Sequence, residues 1–485
     1  MPELRAALSY LCFTLLACSR NTDLGNSVES NATSAQGGSS NGSLAGSSTT
    51  SRGPDLGLGG LSTSPPDEPV RQLPTCADCS YPKCESGKTT SISGIVRTPA
   101  KISPDPLYNA VVYLPGATVE PFKPGVSCER CGNVSGEPVA ATLSASDGTF
   151  KIDDAPAGHD IALVVQMGRW RRQVTLPEVV ACQDNPLPED LTRFPRNRSE
   201  GDIPRLALVT SPYDPEECIL RKLGIDDAEF TLPSEEGRVN LFTGQGALGS
   251  ASAPTGSELW GDAQVLASYD MVLLPCASTP EDVYPGDQPD QLGSAAARGA
   301  LADYANAGGR VFTTDLSFSW ILSDGAPFAN VANWVARPAR DDFYDTLDSS
   351  IDTSFPKGQA LADWLHGINA TPTLGQITLH ETFLRSLSVN PPTQRWLYSE
   401  TPQSLQSFTF NTPIDTPAEA QCGRAAYSSF HIAGATSSDS VPTFPEECDA
   451  APLTPQERVL EFMLFDLASC VQIDTGKPKP PVVVK

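Results

Sequence analysis

The chain has 485 residues and a formal net charge of −25, with 19% charged and 39% hydrophobic residues. Its carboxylates are spread along the chain and no Lys/Arg tract interrupts them, which argues against nucleic acid as a partner, since that needs clustered basic side chains. The length is large for one hydrophobic core and implies more than one domain.

The first element is the apolar run Ala6 to Ala17, AALSYLCFTLLA. It is too short to span a bilayer as a helix but suits the central region of a secretory signal. The run ends in Leu15-Leu16-Ala17-Cys18, which resembles the bacterial lipobox. That resemblance implies a signal peptide over 1–17, cleavage before Cys18 and lipidation of Cys18. The membrane partner is then reached through the anchor, and Ser19 in place of Asp favours the outer membrane. Residues 18–75 are dominated by Ser, Gly, Asn and Thr, as in NATSAQGGSSNGSLAGSSTTSRG. Such a segment lacks the apolar surface to offset its ordering entropy and reads as a tether reaching on the order of 40 Å.

The thirteen cysteines lose Cys12 with the leader and Cys18 to lipid. An even set remains in the first half (Cys76, Cys79, Cys84, Cys128, Cys131, Cys182) and an odd set in the second (Cys218, Cys276, Cys422, Cys448, Cys470). In an oxidising envelope these are disulfide candidates, and the odd set leaves a thiol over unless a bridge joins the two halves. The C-x-x-C pairs Cys76/Cys79 and Cys128/Cys131 would alternatively hold a tetrahedral zinc; no other cofactor is expected.

From Thr89 short alternating strands are punctuated by turns: SISGIVRTP, NAVVYLPG, SDGTFKI and APAGHDIALVVQM. This spacing predicts a β-sandwich over 76–195. Ser93-Gly94-Ile95-Val96, Asn109-Ala110-Val111, Asp147-Gly148 and Pro156-Ala157-Gly158 are similar to the carboxypeptidase-regulatory-like, transthyretin-type sandwich family. The resemblance implies a supporting or binding module without catalytic residues. Trp170, Arg171 and Arg172 in GRWRRQ form a candidate contact for an anion or an envelope glycan, or else an edge strand whose arginines pair with carboxylates.

Past the polar hinge RFPRNRSEGD the period changes. IPRLALVT reads as a strand, PEECILRKLGI as a helix capped by Asp214, and SELWGDAQVLASY as a helix feeding the strand DMVLLPC. SAAARGALADYANAGG is a helix feeding RVFTTD; GRAAYSSFH is a strand, and TPQERVLEFMLFDLASC an amphipathic helix. Strands alternating with helices predict an α/β parallel-sheet domain over 203–472. Residues 316–420 form an insertion read as a lid or packed subdomain, with helical pieces in WVARPARDDFYDTLDSS and GQALADWLHGI and a meander after them; 473–485 is a tail.

DMVLLPC, YANAGGRVFTTD and CGRAAYSSFH resemble class I glutamine amidotransferase-like (flavodoxin-like) domains of the trehalose-utilisation type. The whole arrangement also resembles a group of myxobacterial-type lipoproteins. In open α/β sheets the ligand crevice lies beyond the carboxyl ends of the strands, where Ser211, Cys276, Asp315 and His431 each follow a strand. Cysteine, histidine and a carboxylate suffice for acyl transfer. The amidotransferase nucleophile, however, sits in a Gly-x-Cys-x-Gly elbow, and the matching turn TTDLSFS has no cysteine. The sequence therefore leads to a lipid-anchored envelope protein with a binding or structural role and a glycan or protein partner. The alternative is a cysteine-dependent hydrolase or amidotransferase using Cys276 and His431.

Overall fold

The four strands predicted in the first half form, joined by others in two small sheets. The structure, a computed structural model, describes residues 73–85, 87–211, 213–244, 252–276, 295–321, 328–335, 343–432 and 444–484. The leader, Cys18 and nearly all of the tether lie outside the described residues. The first strands are β1 (Ser91–Ile95), β2 (Val111–Pro115), β3 (Pro138–Leu143), β4 (Thr149–Ile152), β5 (Gly158–Met167), β6 (Trp170–Val179) and β7 (Asp184–Pro186). They pair in the orders β4-β1-β7 and β3-β2-β5-β6, and Ile92, Phe150, Val112, Leu163 and Val165 fill a common core. A short helix α1 (Glu189–Thr192) follows. The expected hinge beyond it is pinned instead: Arg193 pairs with Glu200, and Arg196 Nε donates to the Pro99 carbonyl.

The rest of the chain builds one large mixed sheet. Its strands are β8 (Leu206–Thr210), β9 (Phe230–Thr231), β10 (Val239–Thr243), β11 (Met271–Leu274), β12 (Arg310–Thr314), β13 (Ala332–Trp334), β14 (Phe343–Ile351), β15 (Gln376–Phe383), β16 (Ser386–Val389), β17 (Gln394–Glu400), β18 (Gln403–Thr412) and β19 (Gly423–Ser428). The helices are α2 (Glu216–Lys222), α3 (Gly256–Trp260), α4 (Ala263–Ala267), α5 (Ala295–Asn306), α6 (Pro356–Gly367) and α7 (Pro455–Ala468). In the order β9-β10-β8-β11-β12-β19 every neighbouring pair is parallel. β8, β11, β12 and β19 are buried at every position, as strands covered on both faces should be.

Several local expectations needed correction. SELWGDAQVLASY breaks into α3 and α4 at Gly261, where Asp262 starts a new helix by accepting from the Gln264 amide. Phe343–Ile351 is a strand and not helical, with Leu347, Ser349 and Ile351 turned inward at period two. The 316–420 insertion is not a detached lid: β14, β15, β17 and β18 continue the large sheet antiparallel beyond β19. Gly308 ends α5 with a φ of 122°, and a Cβ there would meet the Ser127 carbonyl oxygen at 2.2 Å.

The helix α7 is buried almost all round, not along one stripe, because it lies between the small sheets and the large one. Phe465 packs on Trp170 and Phe194, and Phe462 on Tyr108 and Trp364. Toward its C-terminal end a buried charge is matched. Arg424 of β19 binds Asp466 and Asp474 at 2.9 Å, and Lys357 of α6 binds Asp466 at 2.5 Å.

Among the described residues five disulfides complete the frame: Cys76–Cys79, Cys84–Cys182, Cys128–Cys422, Cys131–Cys470 and Cys218–Cys448. Two of them join the two sequence halves, which leaves the second set odd, and its leftover thiol is Cys276. The four sulfurs considered for zinc fall in three separate disulfides, so they offer no thiolate set for a metal. All described residues belong to one compact unit, Asp67–Lys485.

Candidate functional site

Register places the candidate residues. Leu274 of β11 aligns with Thr313 of β12, and Thr314 with Ser428 of β19, so three adjacent parallel strands end at one level. Cys276, Asp315 and His431 follow those ends and converge. Cys276 Sγ lies 3.3 Å from Asp315 Oδ2, and His431 Nε2 lies 3.2 Å from the same oxygen. Ser211, after β8, donates its hydroxyl to the Cys276 carbonyl. The backbone at Asp315 is left-handed, with a φ of 33°, an uncommon conformation for a residue with a side chain.

The arrangement is buried, and burial sets its electrostatics. Cys276 is 3% exposed. Burial first, and the facing Asp315 carboxylate second, push its thiol up to about 11 against the opposing influence of His431. Burial alone would raise Asp315, but the Arg385 guanidinium and His431 outweigh it and hold the carboxyl at about 2. Burial also disfavours a charged imidazole, yet His431 facing Cys276 and Asp315 is raised well above its ordinary value.

Four supporting residues escaped sequence reasoning. Arg385 Nε donates to Asp315 Oδ1 at 2.6 Å, from the strand β16 side of the insertion. Phe383 packs against His431 and beneath the Arg385 guanidinium. Asp214 is not a helix cap: the N-cap of α2 is Pro215, with no side-chain cap. Its carboxylate accepts instead from the Thr314 hydroxyl and from the Ile432 amide, while Thr314 Oγ1 accepts the Cys276 amide at 2.8 Å. Glu216 is buried, and neither of its carboxylate oxygens has a hydrogen-bond partner among the described residues. A helix-leading Asp-Pro-Glu-Glu gives no hint of either role.

The other candidates lie elsewhere. Trp170 is buried between Phe194 and Phe465, not presented to a ligand. Arg171 pairs with Asp202 and stacks on Phe122, and Arg172 donates to the Asp190 carbonyl, so this stretch is an edge strand with satisfied arginines. A cavity of about 490 Å³ is lined by Lys101, Asp105, Lys222, Asp226, Arg458 and Glu461 among others, and by none of Cys276, Asp315 or His431. At its wall Glu461 is raised well above the usual carboxylate range, by burial and then by Asp105, with Arg458 opposing.

No protein-family model and no curated protein matches the sequence. Among solved structures, a cytoplasmic protein from Salmonella typhimurium is 12% identical, covering 54% of this chain and 98% of that one, with a TM-score of 0.28. The mmIFT52 N-terminal domain is 11% identical, covering 48% and 85%, with a TM-score of 0.27. A putative thua-like protein from Bacteroides uniformis is 10% identical, covering 47% and 82%, with a TM-score of 0.26.

Proposed function

We propose that the chain is an exported, lipid-anchored cell-envelope protein whose β-rich body serves binding or support and not catalysis. The observation that carries this reading is the state of Cys276, the one described cysteine outside a disulfide. Burial, and then the facing Asp315 carboxylate, push that thiol up and leave it 3% exposed, which disfavours a nucleophilic thiolate at neutral pH. Ten cysteines drawn into disulfides support an oxidising compartment, in keeping with the lipobox at Cys18.

On this reading the two small sheets are a carboxypeptidase-regulatory-like sandwich. Residues 203–472 are an α/β domain related to the amidotransferase-like group, and the parallel order β10-β8-β11-β12-β19 supports that view. At the turn where the resemblance puts a nucleophilic cysteine, this chain has Asp315, clamped by Arg385. The cavity between the 98–105 loop, α2 and α7 is the place for a small polar ligand of a glycan or protein partner.

One observation favours a second reading, a cysteine-dependent hydrolase: Cys276, His431 and Asp315 do meet. Alkylation of the folded, non-reduced protein separates the two. A single thiol that reacts slowly near neutral pH is expected; rapid labelling, together with an ester- or amide-cleaving activity lost in Cys276→Ser, would establish the enzyme. For the anchor, Cys18→Ala should abolish lipid labelling, and unchanged labelling would refute it.

A further inference from the structure

Three donors of different chemistry meet beyond the sheet. The Cys276 sulfur, the Asp315 Oδ2 oxygen and a His431 nitrogen all lie within 4.8 Å of one another. A tetrahedral zinc with Zn–S of about 2.3 Å and Zn–N or Zn–O of about 2.0–2.1 Å sets such donors roughly 3.3–3.6 Å apart. The two distances that involve the carboxylate, 3.3 and 3.2 Å, fall at and just below the short end of that range, so a bound ion would need the donors to part by a few tenths of an ångström. We propose that Cys276, Asp315 and His431 form a binding site for one zinc ion, buried at the ends of β11, β12 and β19.

The surroundings suit a metal ligand set. A ligating carboxylate is oriented by a second partner on its other oxygen, and Arg385 occupies Asp315 Oδ1 while leaving Oδ2 for the shared point. Asp214 binds the residues next to two of the donors, Thr314 before Asp315 and Ile432 after His431. Thr314 in turn fixes the Cys276 backbone, so one carboxylate braces all three strand ends. Charge also closes. A dication with the Arg385 cation is balanced by the Cys276 thiolate, Asp315 and Asp214, and a buried balanced set is far cheaper than an unbalanced one. Glu216 is a second, independent pointer: a fully buried carboxylate with both oxygens unpartnered among the described residues, close enough to feel Asp214 and His431.

The mixed S, N, O set selects zinc over magnesium or calcium, which take oxygen ligands. With Cys276 and Asp315 buried and the His431 side chain 12% exposed, the ion would be a staple of the strand ends, holding residues that otherwise rest on hydrogen bonds. This inference stands apart from the proposed envelope role, since lipid labelling and metal content are read separately.

The test uses the full chain, purified without reductant and dialysed against zinc-free buffer, with zinc measured per chain. One equivalent is expected, falling at least about tenfold in occupancy in Cys276→Ser and in His431→Ala. Cobalt added to metal-stripped protein should give a thiolate-to-cobalt charge-transfer band that saturates at one equivalent and is missing in Cys276→Ser. Should those variants fail to fold, the unaltered chain decides: zinc should slow alkylation of Cys276 and a chelator should restore it. A folded chain that takes up neither zinc nor cobalt overturns the proposal. So does equal uptake by folded Cys276→Ser and His431→Ala, or alkylation indifferent to zinc and chelator.

Discussion

Replacing Arg424 with Met should destabilise the fold by about 3–5 kcal/mol, the cost of stranding buried charge. Arg424 is 1% exposed, and its two terminal nitrogens make five hydrogen bonds, to Thr409, Asn411, Asp466 and Asp474. It shares the two aspartates with Lys357, so two cations face two anions in a closed space. Methionine fills most of the volume but leaves both carboxylates to one lysine. Adding Asp474→Asn restores the charge balance, and the pair should cost less than the sum of the single changes by roughly 1–3 kcal/mol. Burial alone would raise the Asp466 carboxyl, but Lys357 and Arg424 prevail and hold it below the ordinary value. That contribution is present above about pH 4 and is lost as pH falls through the folded-state value, so Arg424→Met should flatten the acid limb of stability. Urea unfolding of the non-reduced protein, followed by tryptophan emission, reads the midpoint at constant slope. A loss below about 1 kcal/mol, or strict additivity in the cycle, would refute the reasoning.

Gly168 turns β5 into β6 with a φ of 53°, and a Cβ there would sit 1.8 Å from the Ala468 carbonyl oxygen at the end of α7; Gly168→Ala should cost at least about 2 kcal/mol in the same unfolding assay. Loss of Cys128–Cys422 through paired serines leaves Cys131–Cys470 to close the loop, so only about 50 residues are freed, a cost of about 4 kcal/mol by chain entropy. A midpoint unchanged by that pair of substitutions would mean that packing around α7 alone holds the halves. Glu200 is drawn down to about 2 chiefly by the Arg193 guanidinium, so it stabilises above its ordinary value and less as pH falls toward 2. Glu200→Gln should remove on the order of 1 kcal/mol of that acid-sensitive stability, after allowance for partial solvent screening, and none of it near pH 2.

Much of the site could be read in advance because its signals are local. DMVLLPC, RVFTTD and GRAAYSSFH each announce an apolar strand followed at once by a chemically active residue, and parallel register does the rest. Arg385 and Phe383 had no such signal. They reach Asp315 and His431 only because the insertion strands fold back along the same sheet, a pairing set by contacts far apart in sequence. Asp214 misled for a different reason. Aspartate before a helix normally caps it, but here the carboxylate is drawn away by two buried donors on other strands. At Phe343–Ile351 the period-two signal is weak in the sequence, because Asp345 interrupts the set formed by Leu347, Ser349 and Ile351.

Cys128 and Cys131 fasten the N-terminal sheets to Cys422 at the head of β19 and to Cys470 just past α7. A single rivet would leave a pivot; two, anchored on different elements, resist torque as well as separation. Arg169 tightens the same joint by gripping Glu129 on one side and Asp270 on the other. Whatever docks on this body therefore meets a preset shape and cannot be enfolded by a swing of one half about the other.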